Sequence, residues 1–320
     1  MGKEAVALRS RSLWIYLLIA LTLSAIYFKE FQSGKRRIAE KISTMTMFEL
    51  DPSSVSFFSI DKGSTRIVVT RTNEGDSETW FIKSPIRAKA DGLRVRKFLE
   101  KLSKLRWVRE IAKRPEDISE FGLDKPAVVI AFTAENISGT LRIGSLTPLG
   151  DDVYVQRNGD QAVYTISFAD KYDLDVDLFD LRDKRLITIS PENVLKLVIE
   201  RRGKSPWLLR KRGDRWFFGN GPTEADPERI HAILSRLWTM RATSIVEEKA
   251  RDLSQYGLTD PAVGIRVISG KKEEEILIGN VSRQGDELYA KMVGSPMVVT
   301  IKKWILSDIP PTEKGLRKSY

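Results

Sequence analysis

The sequence predicts an α+β protein in which an N-terminal transmembrane helix is followed by two tandem homologous repeats of mainly antiparallel β-sheet, with one main helix each. Three observations support this prediction: an uncharged apolar run near the N-terminus, self-similarity within the rest of the chain, and alternating strands around one amphipathic helix in each copy. The 320 residues suffice for two ordinary domains, and 42% of them are hydrophobic, so both domains can bury a core.

The apolar run at residues 13–28 is predicted to cross a membrane once. Its 16 uncharged residues span about 24 Å as a helix, and the aromatic residues at both ends suit the membrane interfaces. We place the transmembrane helix at 13–29, between a short basic tail (1–12) and a basic juxtamembrane linker (30–47). A cleaved signal peptide is the alternative, but small residues are poorly placed for cleavage. The count of flanking positive charges by itself favours a cytoplasmic body.

The basic charge of the chain is concentrated beside this apolar run. The formal net charge is +10, and residues 1–47 supply 8 − 3 = +5 of it. Basic clusters next to an apolar helix more often contact lipid headgroups than nucleic acid. We therefore expect the membrane, and not nucleic acid, to be a partner.

The body of the chain is a tandem duplication. A shift of 135 positions aligns residues 90–166 with 225–301 without a gap, with far more identical pairs than the roughly five expected by chance. We divide the body into a first repeat at 48–187 and a second at 188–320.

Each repeat is predicted to begin with short strands and then a helix. Alternating apolar residues and glycine-bearing turns predict strands at 55–60, 66–71 and 79–83, and at 194–200, 207–211 and 215–218. An apolar stripe at helical spacing follows, with Asp91 or Asp226 as the N-cap. Trp80 and Trp216 recur at the same repeat position and are expected to pack in the cores.

The second half of each repeat is predicted to contain a tight turn and four strands. In the motif aromatic-Gly-Leu-x-x-Pro, Gly122 and Gly257 are expected to adopt the left-handed conformation that ends a helical turn. The following proline releases the chain into strands. These strands are predicted at 127–133, 140–143, 152–156 and 162–166, and at 262–268, 275–278, 287–291 and 297–301.

Several motifs together carry a family resemblance. Two copies of aromatic-Gly-Leu-x-x-Pro-Ala, an Ile-Gly followed by Gly-Asp-x-x-Tyr, and Leu-Arg-Asp-Lys-Arg-Leu at 181–186 resemble the bacterial family called domain of unknown function 4340. The resemblance covers residues 48–320. It implies a bacterial envelope protein, often found beside ABC-type transport components, with an extracytoplasmic body. It implies no established activity and no catalytic residues.

The candidate partner-binding residues are charges that the two copies do not share. The basic residues are Arg201, Arg202, Arg210 and Arg212, and the acidic residues are Asp173, Asp175 and Asp177 in an aspartate-rich connector at 173–183. Such charges can steer a partner with little effect on the fold. The alternatives are exposed hairpin tips and a solvated connector.

A calcium loop is a further alternative for the connector. Its Asp-x-Asp-x-Asp start fits such a loop, but Leu178 stands where glycine is needed and Lys184 where a bidentate glutamate is needed.

No catalytic residue, cofactor or metal is predicted. The chain has no cysteine, which excludes disulfides, thiol nucleophiles and ordinary Cys/His zinc sites. Its one histidine, His231, is expected on the helix surface, and no glycine-rich phosphate loop is present.

The sequence favours a non-enzymatic, membrane-anchored interaction or accessory module. The family resemblance suggests the bacterial inner (cytoplasmic) membrane as its location and ABC-transporter subunits or other envelope proteins as partners. The alternative function is an extracytoplasmic hydrolase that uses carboxylates on glycan or peptide.

Overall fold

The computed structural model describes residues 27–28, 45–74, 77–135, 137–270 and 272–318. The predicted N-terminal tail, most of the juxtamembrane linker and the predicted transmembrane helix, except for Tyr27 and Phe28, lie outside these residues. Within the described ranges, no helix combines the length and the apolar character needed to cross a membrane. The crossing at 13–29 therefore stays a prediction.

The chain divides into two units between Leu181 and Arg182, earlier than the predicted boundary after residue 187. The intervening residues belong to the second unit because they pack there. Arg182 donates to both carboxylate oxygens of Glu248, at 2.7 and 3.0 Å, and Ile187 is buried in the core of the second unit.

The described residues of the first unit form a nine-stranded antiparallel sheet. The strands are β1 Val55–Lys62, β2 Thr65–Glu74, β3 Ser77–Ser84, β4 Ala88–Lys89, β5 Arg109–Ala112, β6 Val128–Ala134, β7 Ser138–Leu146, β8 Asp152–Arg157 and β9 Val163–Ser167. Their order in the sheet is β4-β3-β2-β1-β6-β7-β8-β9-β5.

The second unit repeats this topology. Its strands are β10 Lys196–Arg201, β11 Lys204–Arg212, β12 Arg215–Phe218, β13 Glu224–Ala225, β14 Ser244–Glu247, β15 Val263–Ser269, β16 Lys272–Val281, β17 Glu287–Met292 and β18 Val298–Lys302. Their order is β13-β12-β11-β10-β15-β16-β17-β18-β14. The predicted strands are confirmed. The short outermost strands β4, β5, β13 and β14 are absent from the prediction because two to four residues are too few to show an alternating pattern.

Each unit packs one long helix against its sheet. In the first unit this helix is α1, Gly92–Ser103, and the carboxylate of Asp91 accepts hydrogen bonds at 3.0 and 3.1 Å from two backbone N–H groups of its first turn. Two shorter helices, α2 Phe168–Leu174 and α3 Leu178–Leu181, follow the last long strand. The long helix of the second unit is α4, Pro227–Thr239, capped in the same way by Asp226. Both predicted N-caps are confirmed.

The recurrent motifs form a packing cluster in each unit. Gly122 ends the 3-10 turn Ser119–Phe121 with φ of 67°, the predicted left-handed conformation. Gly144 lies against this turn so closely that a Cβ there would collide with the Phe121 carbonyl oxygen. The Phe121 ring meets Tyr154 edge-on, with centroids 5.0 Å apart. The equivalent residues of the second unit are Ser254–Tyr256, Gly257 with φ of 66°, Gly279, and Tyr289 with a ring separation of 4.9 Å.

Each unit ends in what we call its closing segment, residues 168–181 in the first and 303–316 in the second. Both return to the start of the long helix. The backbone N–H of Asp91 donates to the Leu181 carbonyl, and that of Asp226 to the Leu316 carbonyl, each at 2.8 Å. The two closing segments are equivalent because they differ by the same 135 positions as the aligned stretches 90–166 and 225–301.

Candidate functional site

The hairpin of β10 and β11 forms one side of a groove on the surface of the second unit. The groove has a volume of about 330 Å³, and Arg201 and Arg202 both line it. Two of the four arginines predicted to bind a partner therefore lie at one concave site.

The floor of the groove depends on a glycine. Gly264 of β15 lies opposite Glu200 of β10 and Leu277 of β16 in the sheet register. A Cβ at Gly264 would stand 3.7 Å from the Glu200 Cβ and 3.8 Å from the Leu277 Cδ2, both ordinary contact distances. The first unit has Val129 at this register position, opposite Asp61 and Arg142. A side chain thus occupies in the first unit the place that is open in the second.

The rim of the groove is charged. Arg202 holds Asp260 through an ion pair of 2.9 Å and a second hydrogen bond to the Asp260 carbonyl oxygen. Lys204 is exposed, and its ammonium forms no hydrogen bond or ion pair with the residues that the structure describes.

The acidic groups beside the groove share another arginine. Arg266 binds Glu275 at 3.1 Å and Glu273 at 3.2 Å. The hydrogen bond that Arg266 donates to Glu275, together with the charges of Glu275, Glu273 and Glu200, raises the pKa of Arg266 above its usual value.

Arg201 has a structural role in addition to its place at the groove. Its guanidinium stacks on Trp207, 3.8 Å from the ring centroid, and donates to the carbonyl oxygens of Pro310 and Pro311 at 3.1 and 2.8 Å. It therefore ties the closing segment to the hairpin. The equivalent residue of the first unit is Lys62, which also binds the closing segment of its unit. The sequence predicts that Arg201 is a charge peculiar to the second copy, but both copies have a cation with the same structural role here.

Arg210 and Arg212 lie farther along β11 and do not line the groove. Arg210 is half-buried, and its cross-strand neighbours are Lys196 of β10 and Phe217 of β12. Its Nε has no hydrogen-bond partner among the described residues. The guanidinium of Arg212 lies 5.0 Å from the centroid of the Phe217 ring. The four arginines thus do not form one cluster.

Residues 173–181 of the aspartate-rich connector belong to the first unit, where they form most of the closing segment, and residues 182–183 belong to the second unit. Lys101 binds Asp173 at 2.8 Å, and Lys62 binds Asp175 and Asp177 at 2.5 and 2.7 Å. Three apolar side chains of the segment are buried in the core: Leu174, Val176 and Leu181. The interpretation as a solvated connector holds for the carboxylates of Asp173 and Asp177, which are 55% and 74% exposed although each is paired with a lysine. It does not hold for the apolar side chains, which pack in the core of the first unit.

The aspartates of this segment are paired with lysines: Lys101 binds Asp173, and Asp175 is shared by Lys62 and Lys171. Burial by itself would raise the pKa of Asp175, but hydrogen bonds from Lys171 and Lys62 outweigh it and hold the pKa below its usual value. Over the described ranges, no set of three or more His, Cys, Asp or Glu side chains is arranged to hold a metal ion.

Three other residues singled out by the sequence are placed as expected. Trp80 and Trp216 are buried in the cores of their units, at 8% and 5% exposure. His231 is exposed on α4, with its Nε2 3.3 Å from the Ser235 hydroxyl.

Two residues that help to form the groove, Gly264 and Asp260, were not expected from the sequence, whereas Lys204 belongs to the basic stretch 201–204 that distinguishes the second copy. One signal was available for the first of them. In the alignment of the two copies, Gly264 corresponds to Val129, inside a stretch that is otherwise Pro-Ala-Val-x-Ile in both.

Fold and site together define a protein class: a tandem β-rich duplication whose recurrent motifs build the framework, with a groove on one copy. A family model described as domain of unknown function (DUF4340) matches residues 80–223 and again residues 216–319, and the chain belongs to this family. Each match begins at the tryptophan of a Trp-Phe pair, Trp80 or Trp216. No curated protein matches the chain.

Proposed function

We propose that this protein is a non-enzymatic interaction module of the bacterial envelope, anchored by one transmembrane helix at 13–29. In this proposal the body is extracytoplasmic and the groove of the second unit contacts a membrane-protein partner. The family resemblance suggests that the partner belongs to an ABC-type transport system.

The observation that carries the proposal is the difference between the two units at the groove. The recurrent residues are engaged in packing, as Gly122, Gly144 and Tyr154 show. Such residues are needed by any copy of the fold and identify no partner. The groove instead depends on Gly264 and carries Lys204, where the first unit has Val129 and Thr65. A site for one partner is expected on what the copies do not share.

The alternative, a carboxylate-dependent hydrolase, has less support. A general acid in such an enzyme needs a raised pKa. In the described part of the chain, every carboxylate with a displaced pKa is displaced downward. At Glu274, for example, burial favours a higher pKa, but hydrogen bonds from Thr188 and Lys272 outweigh it.

In-cell photocrosslinking tests the proposal. A photoreactive amino acid replaces Lys204 in the full chain, and the matched control carries it at Thr65, which has the same place in the β1–β2 hairpin and is also exposed. We expect a discrete adduct with a membrane protein from position 204 and none from position 65. Equal labelling at both positions, or no adduct at 204, would contradict the proposal.

The anchor and the orientation are tested separately. The full chain should stay with the membrane in a carbonate wash, and a reporter fused after Tyr320 should be active only outside the cytoplasm. Release by carbonate would refute the anchor, and a reporter active only in the cytoplasm would refute the orientation.

A further inference from the structure

We infer that the groove of the second unit accepts a single aliphatic side chain presented by an acidic segment of the partner protein. The inference deepens the proposed function and rests on it, since it names the chemistry of the partner at the same groove.

The shape and lining of the groove indicate an aliphatic side chain as the anchor. Its volume of about 330 Å³ is at the lower end of the range of about 300–1,000 Å³ typical of binding pockets. Leu277, Pro206 and Pro261 supply apolar surface around the bare backbone of Gly264. At protein interfaces, anchor residues are held in concave apolar sites surrounded by a polar rim, and their binding excludes water from the site.

The charges around the groove indicate that the segment is acidic. The residues that line the groove carry three cations, Arg201, Arg202 and Lys204, and two carboxylates, Glu200 and Asp260. Asp260 is paired with Arg202, and Glu273 and Glu275 beside the groove share the single guanidinium of Arg266. Lys204 has no such partner in the part of the chain that the structure describes. Farther along the hairpin, Lys196 and Arg210 are paired in register, which puts two more cations side by side. The charge left to meet a partner is therefore positive.

The same contacts argue against a phosphate or another small anion as the occupant. An anion site needs several donors that converge on one point. Here the guanidinium of Arg202 is engaged by Asp260, and that of Arg201 by the carbonyls of Pro310 and Pro311. Lys204 alone does not build such a site.

The test uses a random heptapeptide display library selected against the full-length protein in lipid nanodiscs. We expect enriched peptides to share one Leu, Ile, Val or Pro flanked by Asp and Glu. A synthetic enriched peptide should bind Gly264→Val at least tenfold more weakly, because valine fills the groove with the side chain that the first unit has at Val129. Lys204→Glu, an exposed change with no packing to lose, should weaken binding by a similar factor. The matched control is Val129→Ile, which alters the equivalent position of the first unit and should leave binding unchanged.

Several outcomes overturn the inference: no enrichment, enrichment of basic or purely polar peptides, or peptides that bind Gly264→Val as well as the wild type while its melting temperature is unchanged. The in-cell adduct at position 204 separates this failure from failure of the proposed function. If Gly264→Val does not diminish the adduct at position 204, the proposed interaction module stands and the aliphatic anchor is refuted. If the peptides bind in the expected pattern but no adduct forms in cells, the inferred specificity of the groove stands and the proposed interaction module is refuted.

Discussion

The closing segments of the two units perform the same task with different chemistry. In the first unit, Lys62 at the end of β1 binds the carboxylates of Asp175 and Asp177. In the second, Arg201 at the end of β10 binds the backbone carbonyls of Pro310 and Pro311. The 135-residue shift places Asp175 and Pro310 at the same position of the repeat.

A second contact of the closing segments is an ion pair in both units. Lys101 of α1 binds Asp173 at 2.8 Å, and Arg236 of α4 binds Asp308 at 2.6 Å. Both pairs join the long helix to the closing segment at equivalent positions. The comparison teaches that the fold requires a cation at each of these places, whereas the acceptor can change from a carboxylate to a carbonyl. An apparent cluster of surplus aspartates can therefore be one solution to a packing requirement.

The largest expected effect tests whether the two units share one framework. Gly144→Ala and Gly279→Ala should each lower the free energy of unfolding by about 3 kcal/mol, because the new Cβ collides with a backbone carbonyl that cannot move independently. Urea unfolding of the full chain measures the change. Gly264→Ala is the control and should stay within about 0.5 kcal/mol, since its Cβ meets only ordinary contacts. A large effect in one unit only would break the equivalence.

A smaller effect is expected at the left-handed glycines. Gly122→Val and Gly257→Val should each cost about 1–2 kcal/mol, because a β-branched residue tolerates positive φ poorly. The nearest groups, the side chains of Ser145 and Asn280, can move aside, so that the backbone strain dominates. Thermal melting measures the effect, and Gly257→Asn should recover part of it because Asn enters this conformation more readily. An unchanged melting temperature for Gly257→Val would refute the argument.

Acid should distinguish the two closing segments. The folded pKa of Asp175 is lowered, so its carboxylate stabilises the fold above its unfolded pKa, and this contribution is lost as the pH falls through the folded value. The carbonyls of Pro310 and Pro311 do not titrate in this range. Between about pH 6 and about pH 3, Asp175→Asn should lose about 1 kcal/mol less stability than the wild type. Urea unfolding across this range provides the measurement, and parallel pH profiles would show that the ion pair contributes nothing.

The smallest effect concerns the exposed charges of the second unit. Arg212→Ala should change stability by no more than about 0.5 kcal/mol, because the side chain is exposed and its guanidinium contacts only the half-buried Phe217 ring. Arg201→Ala is the contrasting variant and should destabilise more, since it removes two hydrogen bonds and a ring contact. Equal melting temperatures for the two variants would mean that Arg201 does not hold the closing segment.

Sequence reasoning identified the elements that repeat a pattern over enough residues. Inner strands such as β6 and β7 alternate between buried and less buried positions, β9 and β18 are continuous runs of buried residues, and the two long helices have one apolar stripe. The outermost strands, such as β4 and β13, are too short to show such a pattern and exist because a neighbouring strand offers hydrogen bonds.

By itself, the sequence determined the duplication, the family, the N-caps at Asp91 and Asp226, and the left-handed glycines, because each depends on residues close along the chain or on a fixed shift between copies. The tertiary structure alone decided what the charges do and where the groove lies. Lys62 and Asp175 are far apart in sequence, and only the return of the closing segment brings them together. Gly264 likewise becomes the floor of a groove only because the strand register sets it between Glu200 and Leu277. Long-range pairing of this kind leaves no local pattern, so it cannot be predicted from the composition or periodicity of either segment.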